Sequence, residues 1–432
     1  METTSIFSNT TLWTILFFLI PTAFGVPIAI SMGTAAVAIA WMCDLGVQMI
    51  SFNFFANIAK FPLLAIPFFI LAGMIMEKSG IATRLITFIK ECVGAMTGGF
   101  AIAAVAVATF WGALSGSGPA TVAALGVILI PGMEKTGYDK AFSTATVAVS
   151  SGLAIIIPPS IGFIIYAMLT GCSVGAIFAA GIIPGIVMAV CLMTSVWLTS
   201  RKHGWKGEPR SGNFFKAFKE AGWALFSPVI ILGGIYGGIF TPTEAAAVAV
   251  FYGLFVGVFI YKEITWKVLY DVLATSAAAS GVVMLLVTCG GLYAWTATTV
   301  GMIDKMGQII LGISNQSIIV LLTLNVVLFV MGMIVDGVSL YYVFTPLLWP
   351  IIQHFGWDPV WFGVMMTMNI ALGAVTPPVA GNLFVASRIA GLTMEDLMPW
   401  LPSLIVASVI ALALVVGFPQ LSLFLPKLWG LM

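Results

Sequence analysis

Long apolar segments separated by short polar links run through the whole chain, and their lengths predict ten membrane spans. The predicted spans are residues 12–26, 27–47, 61–77, 141–170, 174–199, 222–239, 242–261, 268–299, 360–389 and 400–425. Most are close to the roughly 20 residues that a helix needs to cross a bilayer. The first two are short, so residues 12–47 fit either two spans or one long bent span. Residues 81–93 and 302–313 are amphipathic, which is typical of helices that lie along the membrane interface.

Two further apolar segments, residues 98–131 and 317–350, are interrupted near their centres. The interruption is Ser115 to Pro119 (SGSGP) in the first segment and Asp336-Gly337 in the second. Each arm has about 15 residues, which is too few to cross the membrane. We therefore expect two re-entrant hairpins, each entering and leaving the membrane on one side.

Two of the spans are broken by double prolines, at Pro158-Pro159 and at Pro377-Pro378. Pro158 and Pro377 are 219 positions apart, and the same separation relates Ser117 to Asp336. One structural unit is therefore predicted to occur twice. In a membrane protein, helix interruptions at corresponding positions of two halves are the best sequence indication of a transport site.

The repeat divides the chain into two halves around a basic connector. The units are a first repeat at residues 1–199 with its broken helix at about 141–170, a connector at residues 200–221, and a second repeat at residues 222–432 with its broken helix at about 360–389. The connector contains Arg201, Lys202, Lys206, Arg210, Lys216 and Lys219. The positive-inside rule places it in the cytoplasm. No Lys or Arg precedes Lys60, which predicts an outside N-terminus, so the two repeats are expected to be inverted.

Composition agrees with a membrane protein, because 61% of the residues are hydrophobic, only 8% are charged, and the mean hydropathy is +1.12. A soluble domain could not bury that much apolar surface. The net charge of +1 gives no indication of a nucleic-acid surface. No HExxH, GxSxG or P-loop pattern occurs, so we expect no enzyme activity. The five cysteines form no CxxC pair, so we expect no transition-metal site.

The first hairpin tip and the first proline break together form a candidate sodium site. Hydroxyl and carbonyl oxygens at an unwound tip can face a cation at the bilayer midplane. A proline has no N–H, so the break frees carbonyl groups that precede it. The alternative is a tight turn packed on a kink. The candidate residues are Ser115, Gly116, Ser117, Ile155, Ile157 and Pro158.

The second repeat carries the mirrored sodium site, in which Asp336 replaces Ser117. An acid at membrane depth is expensive and is usually functional. It could ligate a cation, carry a proton or pair with a base; alternatively, it lies in a solvated turn nearer the surface. The candidate residues are Asp336, Gly337, Ser339, Gly373, Val375 and Thr376.

The second half-helices begin just after the proline breaks, and their N-termini suit an anionic solute. Helix N-termini carry partial positive charge and free N–H donors. Arg388 could pair with such an anion or could equally anchor the chain at the cytoplasmic surface. The candidate substrate-binding residues are Ser160, Thr376, Gly381, Asn382 and Arg388.

Five segments of the chain resemble the large membrane subunit (DctM/SiaM type) of TRAP transporters, the tripartite ATP-independent periplasmic family. They are FPLLAIPFFILAGMIME, GALSGSGPATVAALGVILIPGMEKTGYD, IIIPPSIGFIIYA, GGIFTPTEAAAVAV and VTPPVAGNLFVASRIAG. The resemblance extends through nearly the whole chain. The joint occurrence of all five segments makes it specific.

The resemblance implies a subunit of the bacterial inner membrane with the inverted-repeat, elevator-type fold of the ion-transporter superfamily. It implies Na⁺ as the coupling ion, without an organic cofactor, and an organic acid such as a sialic acid or a C4-dicarboxylate as the solute. It also implies two protein partners, a separate four-helix small membrane subunit (DctQ/SiaQ type) and a periplasmic binding protein (DctP/SiaP type).

The leading functional hypothesis is therefore a sodium-driven secondary importer of a carboxylate solute. The alternative is a one-component sodium- or proton-coupled anion symporter on the same fold, which needs no binding protein. A channel fits less well, because a channel requires an uninterrupted pore and this chain has two interrupted hairpins.

Overall fold

The computed structural model describes residues 9–207, 213–312 and 314–432. Within these ranges the chain forms helices joined by short turns, with no β-strand. The all-α fold predicted from the hydrophobic pattern is therefore confirmed. The predicted connector lies partly outside the described residues, because residues 208–212, including Arg210, belong to the part that is not described.

Twenty-two α-helices, one 3-10 helix and one π-helix make up the described chain. The first repeat contains α1 (Thr10–Ala23), α2 (Ile28–Met42), α3 (Val47–Ile58), a 3-10 helix (Phe61–Leu64), α4 (Ala65–Lys78), α5 (Ile81–Val93), α6 (Gly99–Ser115), α7 (Gly118–Lys135), α8 (Lys140–Ser150), α9 (Leu153–Ile156), α10 (Ile161–Thr170) and α11 (Val174–His203). The remainder contains α12 (Phe214–Tyr236), α13 (Pro242–Phe255), a π-helix (Val256–Ile260), α14 (Trp266–Thr299), α15 (Met302–Leu311), α16 (Ser317–Gly332), α17 (Gly337–His354), α18 (Pro359–Gly373), α19 (Gly381–Ala390), α20 (Met394–Leu397), α21 (Leu401–Gly417) and α22 (Gln420–Leu428).

Six helical segments of the described chain are long and apolar enough to cross a membrane, and a seventh is the pair α21 and α22, which is bent by 60°. These seven correspond to seven of the ten predicted spans. The other three fall on α1, on α2 and on α18 with α19; α1, α2 and α18 have 14, 15 and 15 residues. Helices α1 and α2 are separate and pack against each other, so residues 12–47 form two helices and not one bent span.

Both predicted hairpins are present, and each breaks at its predicted tip. In the first, α6 ends at Ser115 and is capped by Gly116, whose φ of 63° is in the left-handed region that favours glycine. In the second, α17 begins after Asp336, which serves as its N-cap. The arms of the first hairpin pack on each other, whereas those of the second pack mainly on α18 and α14.

Both predicted broken helices are present as well. The first consists of α8, the single-turn α9 and α10; the second consists of α18 and α19. The Pro158–Pro159 and Pro377–Pro378 peptide bonds are both cis. The break therefore occurs at corresponding positions of the two repeats, as the separation of 219 residues predicts.

The hairpins and broken helices of the two repeats interlock into one packed unit. The Tyr341 hydroxyl and the Thr367 Oγ1 of α18 lie 2.5 Å apart, and the Tyr341 ring fills the space beside Gly162 of α10. The Tyr166 hydroxyl of α10 donates to the Pro359 carbonyl at 2.7 Å. Because the Tyr341–Gly162 and Tyr166–Pro359 contacts join residues from both repeats, neither repeat completes this unit alone.

A second group of helices packs around this unit. Helices α2, α3 and α4 contact α14, while α4 also contacts α13 and α5 contacts α12. The amphipathic helices α5 and α15 occur where residues 81–93 and 302–313 predict them, although residue 313 is outside the described chain. This outer group meets the interlocked unit chiefly through α5 and α6 and through α14 and α17.

Gly373 lies where α18 crosses α16. A Cβ at Gly373 would overlap the backbone of Gly332, which cannot move aside as a flexible side chain could. Gly373→Ala should therefore destabilise the protein by about 1–3 kcal/mol through overpacking. Thermal unfolding of the purified protein measures this effect. Gly233→Ala is the control, because a Cβ there meets nothing within 4 Å, and an equal loss in both variants would contradict the argument.

Candidate functional site

A cavity of about 360 Å³ lies where the two hairpin tips and the two helix breaks meet. Its polar and charged lining comes from Ser117, Asp336, Tyr341 and Asn382. Ile28 of α2 and Val283 of α14 also line it, so the outer helix group contributes to its wall. The repeat thus brings four interruptions that are far apart in the sequence to one place.

Four helix N-termini converge on this cavity. Gly118 begins α7, Ile161 begins α10, Gly337 begins α17 and Gly381 begins α19, and all four residues line the cavity. Each is the start of the second arm of a hairpin or of the second part of a broken helix. Aligned helix N-termini offer N–H donors and partial positive charge, so this arrangement favours an anionic group.

The N-terminus of α17 already has its own carboxylate. Asp336 Oδ1 accepts from the Ser339 backbone N–H at 3.1 Å, and Oδ2 accepts from the Ser339 hydroxyl at 2.6 Å. The Asp336 side chain is exposed and faces the cavity, whereas Ser339 is buried behind it. Asp336 therefore caps a helix in addition to presenting a negative charge to the cavity.

The second proline of each break removes the donor that would normally satisfy one carbonyl group. Pro159 has no N–H for the Ile155 carbonyl, and Pro378 has none for the Ala374 carbonyl. The Ser160 hydroxyl donates to the Ile155 carbonyl at 2.5 Å, and the Asn382 backbone N–H donates to the Ala374 carbonyl at 3.1 Å. Ile155 and Ala374 occupy equivalent positions, so the two repeats satisfy the same carbonyl in different ways. Each of these oxygens keeps a second lone pair.

The residues of the first predicted sodium site lie at the tip of the first hairpin and at the first proline break. Ser115 Oγ donates to the Ser117 carbonyl at 3.3 Å, while the Ser117 hydroxyl makes no capping bond to α7. A Cβ at Gly116 would lie 2.8 Å from the Pro159 carbonyl oxygen, so the tip rests directly against the break. Ser117, Gly116 and Ile155 line the cavity; Ile157 and Pro158 are buried behind it.

The second predicted sodium site is split between the cavity wall and the layer behind it. Asp336 and Gly337 line the cavity, but Gly373, Val375 and Thr376 do not. The hydroxyl of Thr376 donates to the Leu372 carbonyl at 2.7 Å, and its N–H donates to the Gly373 carbonyl at 3.0 Å. These three residues pack the break against the second hairpin, whose Met333 carbonyl accepts from the Val379 N–H at 3.1 Å.

Asn382, a predicted substrate residue, has a buried amide oxygen, Oδ1, that lacks a hydrogen-bond partner within the described chain. Its side chain is fully buried, and Nδ2 donates to the Ala148 carbonyl of α8 at 3.3 Å. A Cβ at Gly118 would lie 2.7 Å from that Oδ1, so the amide is held against the start of α7. An unpaired oxygen is an acceptor, which suits a cation better than a carboxylate.

The other predicted substrate residues differ in placement. Gly381 lines the cavity, whereas Ser160 and Thr376 are buried outside its lining. Arg388 lies in the last turn of α19 and is exposed, with its guanidinium 4.8 Å from the Phe384 ring centroid. It is not among the residues that line the cavity, so the structure does not bring it to the helix N-termini.

A second cavity, of about 510 Å³, adjoins the first. It runs between α4, the first hairpin and α14, and it shares Ser117, Ile161 and Val283 with the first cavity. Glu77, Lys78, Asp271 and Thr275 line it at the ends of α4 and α14 that are predicted to be cytoplasmic. The two cavities therefore form a path from the hairpin tips toward that surface.

Some residues of these cavities were missed by sequence reasoning. Asp271 could have been found, because an acid on a long apolar helix is a usable signal. Tyr341 and Val283 carry no sequence signal, because only the packing of distant helices places them at the cavity.

The capping role of Asp336 generates a stability prediction. Asp336→Ala removes both hydrogen bonds to Ser339 and should lower the unfolding free energy by about 1 kcal/mol. Asp336→Asn keeps a side-chain oxygen for the Ser339 N–H and should lose much less. Thermal unfolding of the two variants beside the wild-type protein measures both effects. If Asn is as harmful as Ala, the charge of Asp336 and not its capping geometry stabilises α17.

Comparison with known proteins identifies the family. The family model described as "Tripartite ATP-independent periplasmic transporter, DctM component" matches residues 15–421. The isethionate TRAP transporter permease protein DctMQ of Oleidesulfovibrio alaskensis is 41% identical over 404 residues, which are 93% of this chain. The chain spans only 64% of that relative's length.

A second relative and a solved structure agree with this family. The C4-dicarboxylate TRAP transporter large permease protein DctM of Rhodobacter capsulatus is 35% identical over 94% of this chain and 96% of its own length. The crystal structure of the Alcanivorax borkumensis YdaH transporter covers 95% of this chain and 99% of its own, with a TM-score of 0.61 and 14% identity, which shows a shared fold. The chain is therefore a multi-pass membrane protein that belongs to the DctM-component family of tripartite ATP-independent periplasmic transporters.

Proposed function

We propose that this chain is the large membrane subunit of a sodium-coupled importer of a carboxylate solute in the bacterial inner membrane. The observation that carries the proposal is the convergence of four helix N-termini on one cavity between the two repeats. Related permeases are named for isethionate and for C4-dicarboxylates, and both kinds of solute are small organic anions. Sialic acids remain the other expected class.

The cavity suits a small organic anion in size and charge. Its volume of about 360 Å³ is in the range of small-molecule sites. Three of the four helix N-termini lack a carboxylate cap, since only α17 begins with Asp336. The remaining wall is largely apolar, and a low local dielectric strengthens the attraction between the N-termini and a carboxylate.

Sodium coupling is supported by oxygen atoms that have spare acceptor capacity around the same cavity. Ser117, Asp336 and Asn382 all line it, and within the described chain the buried Asn382 Oδ1 has no hydrogen-bond partner. The Ile155 and Ala374 carbonyls add one lone pair each. Oxygen ligands of this kind suit Na⁺, whose positive charge would also offset the charge of a carboxylate held nearby.

Packing in two groups supports alternating access of the elevator type. The interlocked hairpins and broken helices carry nearly all the proposed ligands, whereas the outer group contributes Ile28 and Val283 to the wall. Movement of the interlocked unit past this apolar wall would carry the solute across the membrane. The cavity that reaches Asp271 and Lys78 provides the cytoplasmic release route of this proposal.

Two protein partners complete the proposal. A small four-helix membrane subunit would pack on the outer helix group, and a periplasmic binding protein would deliver the solute to the outward-facing cavity. The family's description as tripartite supports both partners. A one-component symporter on the same fold is the alternative, and the uptake experiment must distinguish it from the tripartite importer.

Uptake into proteoliposomes tests the function directly. The vesicles contain this chain with its candidate small subunit, and radiolabelled succinate and sialic acid are offered with and without the binding protein. We expect uptake that needs both an inward sodium gradient and the binding protein. Sodium-driven uptake without the binding protein would favour the one-component symporter, and dissipation of the sodium gradient without solute movement would indicate a channel.

The Ser117→Ala variant tests the first sodium site. The Ser117 hydroxyl makes no capping bond, so its removal should leave the folded yield unchanged. We expect the sodium concentration for half-maximal uptake to rise about tenfold, which corresponds to the loss of one ligand worth about 1.4 kcal/mol. Ser51→Ala on the outer helix α3 is the matched control. Unchanged sodium activation in Ser117→Ala would remove this residue from the ion site.

A further inference from the structure

A third cavity, a cleft between α5, α12 and the end of the π-helix, shares no lining residue with the two cavities described above. Its volume is about 540 Å³. The cleft is lined by Arg84, Lys216, Lys219, Glu220, Trp223, Ile260 and Tyr261. We propose that this cleft binds the phosphate headgroup of an anionic phospholipid from the cytoplasmic leaflet.

The position of the cleft matches the surface of a membrane. The candidate span Phe214–Tyr236 begins beside it, and the candidate span Pro242–Ile260 ends at its edge. The span Phe61–Lys78 ends six residues before Arg84. Because three span ends meet here, the cleft lies at the depth of lipid headgroups. The basic residues of the connector place this end of the molecule in the cytoplasm by the positive-inside rule.

Two lysines of the cleft have no acidic partner within the described chain. Lys216 and Lys219 are exposed, and neither belongs to one of the ion pairs found there. They lie three residues apart, so both ammonium groups project from one face of α12. Long lysine side chains near a helix end extend toward the headgroup layer. The two ammonium groups are thus available to a phosphate.

Arg84 forms the opposite wall and is held in place by fixed contacts. Its Nη1 donates to Glu263 Oε1 at 3.2 Å and to the Gly80 carbonyl at 3.0 Å. Its guanidinium carbon lies 3.8 Å from the centroid of the Tyr261 ring. Arg84, Lys216 and Lys219 carry three positive charges, and Glu220 and Glu263 carry two negative charges. The net charge of the cleft therefore remains positive after the Arg84–Glu263 ion pair is counted.

The aromatic residues of the cleft suit a lipid and not a soluble anion. Trp223 is 39% exposed, and Tyr261 donates its hydroxyl to the Glu220 carbonyl at 2.6 Å. Tryptophan and tyrosine at span ends occupy the membrane interface. Exposed Ile260 continues this surface toward the apolar part of the bilayer. Basic pockets between helices on the cytoplasmic side are typical sites for anionic lipid headgroups.

Native mass spectrometry of the purified full chain tests the proposal. The protein is offered phosphatidylglycerol and phosphatidylcholine with the same acyl chains, and the retained lipid is counted. We expect the wild-type protein to retain phosphatidylglycerol preferentially and Lys216→Ala/Lys219→Ala to lose about thirtyfold in affinity. The preference should also weaken as salt is raised, because the site is exposed.

Matched variants separate a specific site from a general effect of charge. Lys135→Ala/Lys202→Ala removes two exposed lysines at the predicted cytoplasmic surface outside the cleft and should retain the preference. Lys216→Arg/Lys219→Arg should retain it as well. Equal retention of both lipids by the wild-type protein, or an equal loss in the Lys135/Lys202 control, would overturn the proposal.

Competition with inorganic phosphate distinguishes a lipid headgroup from a free phosphate ion as the group that the cleft binds. If millimolar phosphate displaces phosphatidylglycerol completely, the cleft is a soluble-anion site and the lipid proposal is wrong. The assay has no transport readout, so its outcome is independent of the proposed import function.

Discussion

Backbone carbonyl groups that lose their helical donor inside a membrane protein must be satisfied elsewhere, and the rest of the structure depends on this constraint. Pro159 and Pro378 each leave one such carbonyl, on Ile155 and Ala374. An unsatisfied backbone group in an apolar environment costs several kcal/mol. The first carbonyl is satisfied by a serine hydroxyl and the second by a backbone N–H at the start of α19. Each break is therefore closed by the half-helix that follows it, which fixes where that half-helix begins.

Close backbone contact between each hairpin and its break then brings the helix N-termini together. Gly116 lies against the Pro159 carbonyl, and Gly332 lies against Gly373. These approaches require glycine, because a Cβ at any of these glycines would be crowded by backbone atoms. The resulting cavity combines partial positive charge from helix N-termini with oxygen acceptors such as Asn382 Oδ1. Such a cavity can stabilise both an anion and a cation, although Asp336 is the only charged residue among the described residues that line it.

Much of the fold and part of the candidate site could be predicted. The hairpin tips, both proline breaks and the helix α5 occur where the sequence predicts them. The predicted number of spans was less accurate. Seven of the ten predicted spans are helices long and apolar enough to cross a membrane, whereas α1, α2 and α18 are shorter than the apolar segments in which they lie. Of the predicted site residues, seven line the cavity and Arg388 does not; the seven are Gly116, Ser117, Ile155, Asp336, Gly337, Gly381 and Asn382. Arg388 lies seven residues beyond Gly381, and a helix of that length carries it about 10 Å away.

The sequence by itself determined where the backbone is interrupted and that the interruptions occur twice. Proline lacks a donor, and glycine permits left-handed turns and close approach; both properties belong to single residues and are therefore visible without a fold. Only the tertiary structure decided which interruptions meet. Asn382 contacts Gly118 and Tyr341 contacts Gly162 across more than 170 residues of chain, because interlocking helices bring the two repeats together. Such contacts depend on the packing of whole helices, so no local pattern in the sequence could reveal them.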